Sequence, residues 1–127
     1  MKTKLIVFFL CISLALPGLV GAVSEEDFKL KTTQNLINLL TVSPDDPLYH
    51  QAIHFSQGYM LGAYHYYEAT ISGPKGVKLV CPPASPPCRN DVTKMFVDWV
   101  KEHPQYMKES PVETEFRFLT QLWPCKP

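Results

Sequence analysis

The chain has no surplus of charge of either sign. Twelve Lys and Arg stand against twelve Asp and Glu over 127 residues, a formal net charge of +0. Without a basic excess to neutralise phosphates, nucleic acid and anionic membrane surfaces are poor partners. Glycine is sparse at six residues, and no phosphate-cradling loop is present. Neither GxSxG nor HExxH occurs, so the strained serine elbow and the paired-histidine zinc site are both missing. Cysteine is scarce at four, and no second Cys or His pair stands at a zinc-like interval. No apolar run reaches the roughly 20 residues of a membrane-spanning helix. No catalytic centre, cofactor or metal is expected.

What is present begins with MKTKLIVFFLCISLALPGLVGA. Lys2 and Lys4 precede an apolar run from Leu5 to Leu16, followed by Pro17-Gly18 and the small-residue end Val20-Gly21-Ala22. This is the layout of a secretory signal peptide over residues 1–22, with cleavage expected after Ala22 and no membrane anchor left behind. Cys11 lies inside the apolar run after the bulky Leu10, which does not fit a lipid-attachment signal. Residues 23–127 then form one domain, with ten Lys and Arg against twelve Asp and Glu. A domain of this size buries about two-thirds of its unfolded surface, so it gains from the disulfides that export permits. Three cysteines remain, Cys81, Cys88 and Cys125. An odd number leaves one unpaired or paired between chains.

Period and punctuation mark four helices. The first is expected from Ser24 to about Leu40, with Ser24 as cap, acidic residues in its first turn, and Phe28, Leu36, Ile37, Leu39 and Leu40 on its apolar side. The second starts at Asp46-Pro47 and stops near Ser72, before Gly73-Pro74. Leu48, Ala52, Phe55, Tyr59, Ala63 and Tyr67 trace its inward stripe. The third runs from about Asn90 to His103, where Pro104 ends it, with Val92, Met95, Phe96, Trp99 and Val100 on one face. The fourth follows Ser110-Pro111-Val112-Glu113, read as a capping box, and ends at Pro124 with Val112, Phe116, Leu119 and Trp123 inward. Between the second and third lies GPKGVKLVCPPASPPCRN, residues 73–90. Its four prolines between Cys81 and Cys88 forbid helix and favour an extended, stiff tether held by cysteine. Lys78 to Cys81 is expected to be briefly extended. The fold class is all-α: a small four-helix bundle with a long Pro-rich loop between helices two and three.

Several clusters invite a chemical reading. His50 and His54 are four apart on one helix face, but no third metal ligand is indicated, so exposed histidines are expected. Tyr64, His65, Tyr66 and Tyr67 could relay protons; tyrosine more often fills a core edge with its hydroxyl wet, or serves an interface. Cys88 precedes the basic Arg89, but in an oxidising compartment an unreactive or intermolecularly paired thiol is expected. Glu113 and Glu115 are two apart and do not share a face. In FSQGYMLGAYHYYEA, residues 55–69, Gly58 and Gly62 form a flat strip that lets another helix approach, at a propensity cost of about 1 kcal/mol each. The binding surface itself is not identified.

Three ordered segments resemble the Rap1a/Tai family of exported bacterial immunity proteins. FSQGYMLGAYHYYEA, with Phe55, Ser56, Gly58, Tyr59 and Gly62, is similar to the family's Phe-Cys-x-Gly-Tyr-Ile-x-Gly helix. VKLVCPP resembles its Phe-Cys-x-Pro loop. VDWVKEHPQYMKESPVETEFRFLTQLWPC resembles its closing segment, which ends in Phe-Pro-Cys. The resemblance implies a periplasmic helical protein that binds and blocks a peptidoglycan amidase delivered by type VI secretion. A small envelope chaperone, or a relative without a toxin, is the alternative, and release to the exterior is the alternative location. Some family members are dimers, and a homodimer is a further expectation. Family members also carry a cysteine late in the first helix and one at the position of Ser56; both are missing here, so the resemblance implies one bridge lost whole. The remaining family cysteines match Cys81 and Cys125, which are expected to pair. Cys88 is then extra, and Cys88 with Cys125 is the rival pairing.

Overall fold

The computed structural model describes residues 22–126, which leaves the expected leader outside the described residues except for Ala22. Helices α1 (Thr33–Leu40), α2 (Tyr49–Ile71), α3 (Arg89–Glu102) and α4 (Pro111–Leu122) make up the fold, with short 3₁₀ turns at Asp27–Lys29 and Pro104–Tyr106. No strand occurs among the described residues. A single antiparallel bridge joins Val80 to Pro124.

The first helix differs from expectation. Ser24 and Asp27 do interact, since Asp27 accepts from the Ser24 N–H and hydroxyl, but the helix that begins there lasts one 3₁₀ turn. Leu30 then adopts a left-handed φ of 46°, which breaks the chain direction. The α-helix restarts at Thr32, whose side chain accepts from the Asn35 N–H while Asn35 accepts from the Thr32 N–H. That reciprocal pair is the true capping box. Asp27 is buried and also accepts from Asn35 and Asn38 of α1, so the 3₁₀ turn is folded back on the helix it was expected to start. The opening of α1 is fixed from outside as well. The Thr33 and Gln34 N–H groups donate to the carbonyls of Glu109 and Met107, and the Thr33 hydroxyl bonds the Thr114 hydroxyl at 2.7 Å in the interior.

The other boundaries fall within three residues of their punctuation. Pro111 occupies the first turn of α4, but the Ser110 side chain makes no capping bond, so the expected box with Glu113 does not form.

Helix α1 lies against α2 and α4, and α3 packs on α4. The main core gathers Leu36, Ile37, Phe96, Val100, Phe118 and Leu119 around Tyr67 and Val80. A smaller cluster of Val23, Leu39, Val42 and Ala52 closes the other end of α1. Three inward faces are turned from their expected setting. In α2 the fully buried positions are Ala52 and Ser56, whereas Phe55 stays 43% exposed and leans on Phe28. In α3 Val97 replaces Met95, and in α4 Phe118, Thr114 and Glu115 are buried while Phe116 is only partly so.

Candidate functional site: a tied loop, an apolar groove and a carboxyl-lined cavity

The loop after α2 is held at three points. Cys81 and Cys125 form a disulfide, 44 residues apart in sequence. The Cys81 N–H donates to the Trp123 carbonyl at 2.8 Å. The buried Tyr67 hydroxyl accepts from the Leu79 N–H at 2.7 Å and the Val80 N–H at 3.0 Å. Tyr67 was expected to leave its hydroxyl wet; it instead satisfies two donors of a segment that has no sheet partner for them. Gly76 allows the turn that feeds this loop, because a Cβ there would lie 2.3 Å from the Ile71 carbonyl oxygen.

Cys88 is free and exposed, and its thiol sits 3.0 Å from a carboxylate oxygen of Asp91. The rival Cys88–Cys125 pairing is thereby replaced by the Cys81–Cys125 bridge. His50 and His54 stack at 6.3 Å on the surface, and no group of three potential ligands that could hold a metal occurs among the described residues. Tyr64, His65, Tyr66 and Tyr67 point to different places. Tyr64 lines a cavity, Tyr66 is 74% exposed, Tyr67 is buried and His65 lies at the surface. They do not form a proton relay. Ser56 is buried, with its hydroxyl on the Ile53 carbonyl at 3.1 Å.

Gly58 and Gly62 are exposed, and a Cβ built on either would meet nothing within 4 Å. No helix among the described residues packs on the strip they form. They floor an open groove of about 630 Å³ whose sides are Tyr59, Tyr66, Tyr67, Leu79, Val112 and Phe116. Burial raises the Tyr59 pKa, and the neighbouring Glu115 adds to the rise, so this rim hydroxyl stays neutral. Tyr66 and Leu79, two of the chain's exposed large apolar side chains, stand along the groove. Tyrosine and leucine flanking a bare backbone strip suit a protein surface better than a small polar substrate.

A second hollow lies between α2, the proline loop, α3 and α4. It has a volume of about 290 Å³ and includes Leu61, Tyr64, Pro86, Val92, Glu115 and Leu119 in its walls. Glu115 is 3% exposed, and its Oε2 has no hydrogen-bond partner. Burial pushes its pKa up to about 8. The sequence carried one signal for this position: Glu115 precedes Phe118 and Leu119 by three and four residues, which places it on their face.

Among the described residues the fold is a small helical bundle tied by the Cys81–Cys125 disulfide, with two apolar concavities open at its surface. The model of the Rap1a immunity proteins matches residues 32–125, so the chain belongs to the Rap1a immunity protein family. No curated protein and no solved structure matches it.

Proposed function

We propose that this protein is exported to the periplasm of a Gram-negative bacterium, where it binds and neutralises a peptidoglycan amidase toxin delivered by type VI secretion. Family membership over residues 32–125 carries this reading. The toxin is a protein, and the groove along Gly58 and Gly62 supplies an apolar, tyrosine-flanked surface left open by the other described residues. Inhibition then works by occlusion. The protein covers the toxin and performs no turnover of its own. The loop held by Tyr67 and the Cys81–Cys125 bridge keeps Leu79 in place beside the groove before binding, which limits the ordering entropy of the complex.

Self-association through the same strip is the second reading, favoured by the open face of Gly58 and Gly62. Sedimentation of the processed chain, alone and mixed with an amidase encoded beside its gene, separates the two. The toxin reading expects a one-to-one interface that inhibits the amidase and that Gly62→Leu removes. A dimer whose mass is lost in Gly62→Leu, with amidase inhibition retained, assigns the groove to self-association. Envelope fractionation tests the location: the processed protein belongs in the periplasmic extract.

A further inference from the structure

The cavity beside Glu115 is distinct from the groove, with no lining residue in common. Its wall is largely apolar: Met60 and Leu61 from α2, Pro86 from the loop, Val92 from α3 and Leu119 from α4. The carboxyl of Glu115 is almost wholly removed from solvent, and its Oε2 lacks any hydrogen bond. A buried acceptor without a partner is unfavourable unless something supplies one. Cation donors close by are few. Arg89 lines the cavity from the start of α3, but it is exposed and makes no ion pair among the described residues.

Volume limits the occupant. About 290 Å³ is at the lower end for ligand pockets, enough for one short side-chain-sized molecule and too little for a lipid or a peptide segment. Chemistry limits it further. A neutral ligand would be served as well by an amide or hydroxyl, without a group whose ionisation opposes folding. A carboxyl adds one capability, a full negative charge that appears when a cation enters. An apolar stem satisfies the walls, and a compact ammonium head satisfies the oxygen.

We propose that this cavity binds a small aliphatic ammonium, with its head hydrogen-bonded to the Glu115 carboxylate and its stem against Leu61, Val92 and Leu119. Binding converts a carboxyl kept neutral by burial into half of an ion pair. The titratable groups facing it are Tyr59 and Tyr64 from α2 and Arg89 from α3; the loop contributes prolines. Both tyrosines are held neutral by pKa values raised through burial. Arg89 opposes entry of a second cation at the mouth. At neutral pH the incoming ammonium therefore displaces the proton of Glu115 into solvent.

Calorimetric titration with n-hexylammonium, n-hexanol and n-hexanoate tests this. The ammonium should bind with a Kd of roughly millimolar or tighter, and the alcohol and carboxylate at least about tenfold more weakly. Repeating the titration at pH 7 in buffers of different ionisation enthalpy should show release of roughly one proton per ligand. Glu115→Gln should reduce ammonium affinity by about tenfold or more while the circular dichroism spectrum is unchanged. Leu61→Trp, which keeps the carboxyl but fills the cavity, should also abolish binding, and Arg89→Ala should strengthen it. Equal binding of hexanol and hexylammonium, tighter binding of hexanoate, or full ammonium affinity in Glu115→Gln would overturn the proposal, as would absence of binding to the wild-type protein.

Discussion

The hydroxyl of Tyr67, buried in α2, accepts the backbone N–H of Val80 at 3.0 Å and that of Leu79 at 2.7 Å. One side chain thus does for the loop what a neighbouring strand does in a sheet. The phenol ring packs on Phe116 at 5.0 Å between centroids, so removing only the oxygen leaves the packing intact. Tyr67→Phe should cost about 2 kcal/mol, the penalty for stranding buried donors, and should speed hydrogen exchange at Leu79 and Val80 before any other loop amide. Urea midpoints and exchange rates measure both.

Glu115 makes stability depend on pH in a direction opposite to a paired carboxylate. Its folded pKa of about 8 lies above the ordinary 4.5, so the native state holds a proton that the unfolded chain releases. Stability is then greatest below pH 4.5 as far as this group is concerned, and it falls as pH rises toward 8. Glu115→Gln should raise stability at pH 7 by roughly 3 kcal/mol and change little at pH 4. Denaturant titrations at the two pH values give the comparison.

Asp27 has the reverse sign. Burial pushes its pKa up, but hydrogen bonds from the Ser24 backbone, Asn38, Asn35 and the Ser24 hydroxyl together hold it below the ordinary value. Its contribution is present above the ordinary carboxylate range and is lost as pH falls through the depressed value. Asp27→Ala should destabilise by about 2 kcal/mol at pH 7 and less in acid, read from the same denaturant curves.

Closing a loop of this length by the Cys81–Cys125 disulfide contributes about 4 kcal/mol on the chain-entropy model. Reduction, or Cys81→Ala with Cys125→Ala, should lower the thermal midpoint accordingly. Cys88→Ser should leave it unchanged, because that thiol is free and exposed.

The glycines divide by environment. Gly58→Ala and Gly62→Ala meet open space and should each stabilise the helix by up to about 1 kcal/mol. Gly76→Ala drives a Cβ into the Ile71 backbone and should destabilise the turn. Thermal midpoints of the three variants order them.

Much of this architecture is legible in the chain because proline and polar turn residues mark helix ends locally. Asp46-Pro47, Gly73-Pro74, His103-Pro104 and Ser110-Pro111 each lie within a few residues of a boundary. The Cys81–Cys125 bridge was reached by likeness to a family, since three cysteines alone leave the pairing open. The features that escaped are nonlocal. The chain from Ser24 to Leu40 has helical pattern throughout, yet Leu30 turns left-handed, and the 3₁₀ turn docks on α1 through Asp27. Thr32 and Asn35, three apart, are the local signal for the true start of α1. The inward face of α4 is ambiguous in the sequence because Phe116 and Phe118 both fit an apolar stripe, and packing against Phe96 at 5.6 Å selects Phe118. The same rotation carries Glu115 inside. Gly58 and Gly62 are spaced to let another helix approach, but no element among the described residues makes that approach.

Inhibition of an adjacent-gene amidase on purified peptidoglycan tests the central claim most directly, using the wild-type protein and Gly62→Leu. Stoichiometric inhibition at nanomolar concentration, lost by about a hundredfold or more when the leucine fills the groove, is the expected result. An amidase that remains fully active in excess wild-type protein would contradict toxin neutralisation, and equal inhibition by both proteins would remove the groove from the binding surface.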